Sequence, residues 1–170
     1  MKKKKVYNIA IVGLGNIGSY IFNFLNNNKN NLSNKNNANF KLLYVSAKNK
    51  NIKRNIKISK NKWLANYLDA TKLKKIDIII ELIGGAEGPA KKLVFNALKN
   101  KKHVVTANKA LIAKYGDKLS KIAEENNVNL EFEAAVCGGV PVIRALKEGL
   151  IANKINRVYG IFNGTSNYIL

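Results

Sequence analysis

Acidic side chains are scarce in this chain. Ten Asp and Glu stand against thirty Lys and Arg, none of the ten occurs before Asp69, and the net charge is +20. Such a balance invites a nucleic-acid partner, because lysines and arginines gain affinity by neutralising phosphates. The lysines, however, are scattered among asparagines and isoleucines, and no aromatic stacking residues accompany them. That mixture reads as a compositional bias toward Lys, Asn and Ile, giving non-specific attraction to polyanions. No nucleic-acid partner is expected. The single cysteine, Cys137, excludes an internal disulfide framework and fits a reducing compartment. No apolar run approaches the roughly 20 residues that cross a bilayer, so no membrane partner is expected. Lys2 to Lys5 ahead of an apolar run imitates a secretory leader, but that run carries a glycine turn and no small-residue cleavage site follows it. A soluble, cytoplasmic protein is expected.

What the chain does have is one organising stretch, Val6 to Ser19. Its apolar, partly β-branched start reads as a buried strand, and Ile17, Tyr20, Ile21, Phe24 and Leu25 follow at helical spacing. Between them lies a G-x-G-x-x-G turn, Gly13-Leu14-Gly15-Asn16-Ile17-Gly18. Gly13 permits the tight turn, Gly15 lets a pyrophosphate approach the backbone, and Gly18 lets the helix pack closely on the strand. The helix N-terminus then offers unpaired N–H groups to the phosphates. Placed between a strand and a helix, the turn predicts dinucleotide binding.

With 170 residues and 46% hydrophobic content, the chain is one globular domain, or one domain and the start of a second. After the first helix, 26–39 reads as a polar, asparagine-rich loop, and Phe40 to Ser46 as the second strand. The end of that strand usually separates the two nicotinamide cofactors, since a carboxylate there accepts from the ribose hydroxyls of NAD. Ser46, Lys48, Lys50, Lys53 and Arg54 occupy the region instead, so NADP(H) is expected over NAD(H). A basic stretch without period follows to Asn61, and Trp63 to Leu68 is a short helical or irregular piece. Ile76 to Leu82 is a third strand ending in the Gly84-Gly85 turn, which should face the cofactor. A helix opens near Pro89, in keeping with the preference of proline for a first helical position. His103 to Thr106 is the next strand, running into Asn108-Lys109 and a helix to about Asn126. Lys109 falls where a strand end meets the cleft, a place for a cation touching substrate or nicotinamide. His103 opens the strand at the far end and is structural. Asn129 to Ala134 reads as a strand, followed by a helix from Pro141 to about Leu150, a strand near Ile155 to Ile161, and the start of a helix at Asn163 to Tyr168. Alternating βα units imply a parallel sheet covered on both faces, an α/β doubly wound architecture. The expected division is a dinucleotide-binding domain over 1–140 and the beginning of an α+β substrate and dimerisation domain over 141–170.

Five stretches in this order resemble the N-terminal half of homoserine dehydrogenase: the glycine turn; Glu81-Leu82-Ile83-Gly84-Gly85; Val104 to Leu111; Phe132 to Ile143, which contains Ala135-Val136-Cys137-Gly138-Gly139-Val140-Pro141; and Gly160 to Leu170. The first is shared with other Rossmann oxidoreductases; the last three together are specific. The resemblance implies NAD(P)-dependent interconversion of L-aspartate 4-semialdehyde and L-homoserine, in the biosynthesis of threonine, methionine and isoleucine. It implies that Leu14 to Ile17 and Gly84 line the cofactor; with the glycines of the turn and the end of the second strand, the expected cofactor-binding residues are Gly13, Leu14, Gly15, Asn16, Ile17, Gly18, Ser46, Lys48, Gly84 and Lys109. Lys109 would be the lysine beside nicotinamide and substrate. Glu133, Val136, Gly138 and Val140 would form a monovalent-cation site, for Na+ or K+, built mainly from carbonyl oxygens, and the full-length enzyme would be a homodimer.

The family's substrate-holding carboxylates and its second lysine, the usual proton donor, lie downstream of the helix begun at Gly164-Thr165-Ser166-Asn167-Tyr168. The chain is therefore expected to be an N-terminal fragment that binds cofactor with little turnover. Two other readings stand beside it: another Rossmann oxidoreductase acting on a small amino or oxo acid, and a non-catalytic cofactor-sensing module.

Overall fold

The computed structural model describes residues 4–160. Strand β1 (Lys5–Val12) lies inside the sheet, between β2 (Ala38–Ser46) and β3 (Ile78–Glu81), with β4 (His103–Thr106) and β5 (Leu130–Glu131) beyond. The order is β2-β1-β3-β4-β5, and every pairing is parallel. Because successive side chains alternate between the faces of a strand, β1 supplies both cores. Ala10 and Val12 join Ile79 and Val104 on one face, while Ile9 and Ile11 join Leu42, Val45 and Ile80 on the other. Burial on both sides accounts for the unbroken apolar runs in β1 and β3.

Helices cover both faces. Leu93, Val94, Ala97 and Leu98 of α4, together with Leu111, Leu119 and Ala123 of α5, close the first core; Phe22 of α1 closes the second. These helices are α1 (Asn16–Asn27), α4 (Pro89–Lys99) and α5 (Lys109–Glu125). They are separated in the chain by two short ones, α2 (Lys29–Asn36) and α3 (Asp69–Lys72). The expected doubly wound parallel sheet is the observed one. Its outer edge beyond β2 carries a single parallel bridge, Val45 to Trp63, closed by the Leu64 N–H donating to the Val45 carbonyl at 2.9 Å. One residue thus stands where a third strand of the nucleotide-binding half would lie, at the irregular piece expected around Trp63.

Several expectations fail for identifiable reasons. The polar stretch 26–39, expected as a loop, contains α2, which buries no residue of its own. Tertiary contacts and local caps hold it. Lys4 Nζ donates to the Ser33 carbonyl and hydroxyl at 3.1 Å, the Ser33 hydroxyl donates to Asn39 Oδ1 at 2.8 Å, and Asn37 ends the helix in the left-handed region. Asparagine has low intrinsic helix propensity, so the local sequence argues against this helix. The strand expected over 129–134 shrinks to β5, because it pairs only with β4 and the chain turns at Phe132 into a 3-10 turn at Glu133–Ala135. Residues 155–160 form no strand, having no sheet partner among the described residues. The helix expected at Asn163 to Tyr168 lies outside the described residues. Beyond Pro141 the expected helix is real but irregular, a turn of α6 (Val142–Arg144) widening into a π-type turn at Ala145–Gly149.

Candidate functional site

The three glycines of the turn can be separated by what a side chain would meet. Gly13 has φ +105°, and a Cβ there would lie 2.4 Å from the Leu82 carbonyl oxygen, so only glycine fits between β1 and the end of β3. A Cβ on Gly18 would lie 2.0 Å from the Gly13 carbonyl oxygen, which explains why α1 can sit so close to the turn. Gly15 is different. Its backbone is ordinary at φ −78°, and a Cβ would meet nothing within 4 Å. Steric fit within the protein therefore does not require glycine there, and the space in front of it is open. Gly15 is also the N-cap of α1 and supplies no side-chain cap, and the first turn has no acid. The first amides of α1 are thus left for an external acceptor, favoured also by the helix dipole.

Two hollows meet at this point and share Gly15, Leu82 and Ile83. The larger, about 860 Å³, lies toward β2 and is bounded by Gly13, Leu14, Ser46, Lys48, Arg54 and Tyr67, among others. The smaller, about 380 Å³, lies toward β4 and is bounded by Asn16, Ile17, Gly18, Gly84, Ala107 and Asn108. A long, two-ended ligand with its middle over the helix N-terminus matches this plan. The position follows the rule for open α/β sheets, in which ligands sit beyond the carboxyl ends of the strands where connections diverge to opposite sides.

The predicted residues fall into place unevenly. Gly13 to Gly18, Ser46, Lys48 and Gly84 line the two hollows. Ser46 is buried, and its carbonyl accepts the Gly13 N–H at 2.9 Å, tying the end of β2 to the turn. Lys48 is exposed. Arg54 is spent on the protein itself: its guanidinium donates to the carbonyls of Leu14 (2.9 Å), Asn49 (2.7 Å), Ile52 (3.0 Å) and Lys50 (3.3 Å), and it lies 5.8 Å from the Trp63 ring. It fastens the basic loop over the turn. Lys109 opens α5 immediately after the cleft residue Asn108; it is exposed and has no acidic partner within ion-pair distance among the described residues. His103 stands at the opposite end of β4, where Nδ1 accepts the Asn129 N–H at 3.0 Å, a structural role as expected.

Glu133, Val136, Gly138 and Val140 lie along two successive tight turns, with Cys137, Gly138 and Gly139 all at positive φ. The Glu133 carboxylate accepts the N–H groups of Ile143 (3.0 Å) and Arg144 (2.9 Å), capping the start of α6. Among the described residues, no group of three or more His, Cys, Asp and Glu is placed to hold a metal. Any cation here would depend on main-chain oxygens.

The sequence reading missed Glu81, Thr106 and Asn108 as site residues. Asn108 joins the two turns of the smaller hollow, donating from Nδ2 to the Gly85 carbonyl at 2.7 Å while Oδ1 caps the Leu111 N–H at 3.1 Å. A further cluster braces the same turns from outside. Glu87 accepts from Lys91 (2.9 Å), Lys114 (2.8 Å) and the Tyr115 hydroxyl, and these donors, Lys114 foremost, pull its pKa down to about 2.

Fold and cleft together define a dinucleotide-binding α/β domain of the Rossmann type. Residues 13–133 match the family described as "Homoserine dehydrogenase, NAD binding domain", and residues 141–170 match "Homoserine dehydrogenase". The chain belongs to the homoserine dehydrogenase family. It is 40% identical over 166 residues to the homoserine dehydrogenase of Neisseria gonorrhoeae and 42% identical over the same length to that of Pseudomonas aeruginosa, in each case over 98% of this chain and 38% of the relative. The crystal structure of a homoserine dehydrogenase from Thiobacillus denitrificans superposes with a TM-score of 0.84 at 37% identity, covering 99% of this chain and 39% of that one. The chain thus spans under two-fifths of the length of these relatives. No helix among the described residues is long and apolar enough to cross a membrane.

Proposed function

We propose that this chain is the cofactor-binding part of a homoserine dehydrogenase, holding NADP(H) for hydride transfer between L-aspartate 4-semialdehyde and L-homoserine. The observation that carries the reading is the open space at Gly15, set between two hollows over uncapped helix amides. When bound, the cofactor supplies the hydride. The amides of α1 hold the pyrophosphate, the larger hollow toward β2 takes the adenosine end, and the smaller one toward β4 takes the nicotinamide. Lys109, which lines neither hollow but follows Asn108 of the smaller one directly in the chain, is assigned to stabilise negative charge developing on the reacting oxygen. The stretch proposed to do this work is 1–140, with 141–170 opening the substrate domain; the two family matches, ending at 133 and beginning at 141, support that division. With the chain spanning 38% of its relatives, cofactor binding with little turnover is the activity assigned to this stretch.

Preference for NADP(H) is part of the proposal. The end of β2 offers Ser46, Ala47 and Lys48 to the larger hollow and no carboxylate. Lys48 lines that hollow and is the cation assigned to a ribose phosphate, since the Arg54 guanidinium is taken up by main-chain carbonyls. A monovalent cation held by oxygens of Glu133, Val136, Gly138 and Val140 is proposed with it, supported by a donor set of hard oxygens on consecutive tight turns. A homodimer in the cytoplasm is the proposed setting of the full-length enzyme.

Fluorescence titration with NADPH and NADH tests the reading, followed by addition of aspartate 4-semialdehyde. Tighter binding of NADPH, with slow or no oxidation, is expected. Failure of the folded chain to bind either cofactor overturns the proposal, and brisk turnover overturns the restriction to binding.

A further inference from the structure

Strand β3 is Ile78-Ile79-Ile80-Glu81, and its one acid is fully buried at 0% exposure. Burying a carboxyl costs free energy unless its oxygens are satisfied, and here both are. Oε1 accepts the N–H groups of Ile83 (2.7 Å) and Gly84 (3.1 Å), and Oε2 accepts the Thr106 hydroxyl at 2.5 Å. Glu81 and Thr106 are direct register partners across β3 and β4, which places both side chains on one face of the sheet. The Thr106 oxygen in turn accepts the Asn108 N–H at 3.0 Å, and Asn108 reaches back to the Gly85 carbonyl. The ring closes. It joins the turn after β3 to the turn after β4, and among the described residues no buried side-chain polar atom is left without a partner.

Both turns border the smaller hollow, through Ile83 and Gly84 on one side and Ala107 and Asn108 on the other. Gly84 and Gly85 sit at φ +84° and +81° and carry no side chains, so this part of the turn after β3 is held through its main chain. An apolar residue at position 81 would fill the volume but leave the Ile83 and Gly84 amides without this acceptor. We propose that Glu81 is a positioning residue for the nicotinamide end of the cleft, acting through the Ile83–Gly84 amides and, by way of Thr106 and Asn108, on the turn that leads into Lys109. The inference rests on the dinucleotide reading of the cleft and goes beyond it, since Glu81 lines neither hollow.

Two ligands separate this role from general support of the fold: NADPH, and 2′-phospho-ADP-ribose, which lacks the nicotinamide. Calorimetric titration of the wild-type chain, Glu81→Leu, Thr106→Val and Thr106→Ser is compared with the melting temperature of each. In Glu81→Leu, which removes the acceptor of the Ile83 and Gly84 amides, and in Thr106→Val, NADPH binding should weaken about tenfold while the truncated ligand changes by less than about twofold. Thr106→Ser keeps the hydroxyl and should keep both affinities. Should Glu81→Leu not fold, the Thr106 pair carries the comparison, because that substitution leaves the carboxyl in place. A parallel loss for both ligands, no change for either in a folded variant, or equal wild-type affinity for the two ligands overturns the proposal. Failure of the wild-type chain to bind either ligand is a different result, and overturns the dinucleotide reading beneath it.

Discussion

Replacing Gly15 and Gly18 separately by alanine should split cofactor binding from stability. At Gly18 the new Cβ would stand 2.0 Å from the Gly13 carbonyl oxygen, so that oxygen or α1 must retreat by about 1 Å to reach even a tight contact. Gly13 has little freedom to yield. Its N–H is bonded to the Ser46 carbonyl, and the Leu82 main chain presses on its other side. The cost therefore falls at the upper end of overpacking, about 3 kcal/mol. For a chain of this size, that lowers the melting temperature by about 6–12 °C. At Gly15 the backbone suits alanine and the Cβ enters open space. A stiffer unfolded chain contributes about 0.4–1 kcal/mol of stability, and alanine is a poorer N-cap than glycine by a similar amount, so the two effects about cancel. The methyl group does occupy the approach to the first amides of α1. Loss of two hydrogen bonds to a charged phosphate, at about 1.5–3 kcal/mol each, predicts at least ~100-fold weaker NADPH binding. Thermal unfolding by circular dichroism and calorimetric titration read the two effects independently. A Gly18→Ala chain as stable as wild type, or a Gly15→Ala chain that binds NADPH normally, would refute the reasoning.

Other perturbations address single groups. Lys48→Glu should weaken NADPH binding about tenfold with little effect on NADH, and the gap should narrow in 1 M salt, where the screening length falls to about 3 Å; equal losses for both cofactors count against a phosphate contact. Arg54→Lys removes most of the fork that holds four carbonyls, so limited proteolysis should cut within 48–54 faster than in wild type. Lys109→Ala should shift stability by no more than about 0.5 kcal/mol, as for an exposed residue without an ion pair, while any hydride transfer to aspartate 4-semialdehyde slows by about 10²-fold. Glu87, with its folded pKa pulled to about 2 from 4.5, contributes stability that is fully present above about pH 4.5 and is lost as pH falls toward 2. Glu87→Gln should therefore melt below wild type at pH 7, and the difference should vanish near pH 2.

How much of this was legible in the sequence depends on what holds each piece in place. Strand β1 announced itself because it is buried on both faces, which leaves an unbroken apolar run, and α4 and α5 because one face of each is apolar at helical spacing. In the glycine turn the packing tasks of Gly13 and Gly18 were legible, since a Cβ at either position would collide with the main chain. Helix α2 was not, because its support comes from Lys4 and Asn39, outside the helix in sequence. The single-residue bridge at Trp63 was equally hidden, since one paired residue has no periodicity.

The site divides along the same line. Residues that line the two hollows and are glycines, such as Gly13, Gly15 and Gly84, carry a local signature readable in the sequence. Lys109 was placed by its position after a strand, but that no acid among the described residues pairs with it needed the structure. Arg54 stands in the sequence as one of several basic residues after β2, and its role as a fastening was hidden, because four carbonyls converge on it only once the loop is folded over Leu14. Glu81 is the sharpest case. An acid at the end of an isoleucine run is visible in the sequence, yet its meaning depends on standing opposite Thr106 in the sheet register. Register is set by the packing of both faces together, and a single strand does not reveal its neighbour. A lone acid closing an apolar strand, followed by a glycine pair, is therefore better read as a candidate anchor for the turn beyond it than as the edge of the strand.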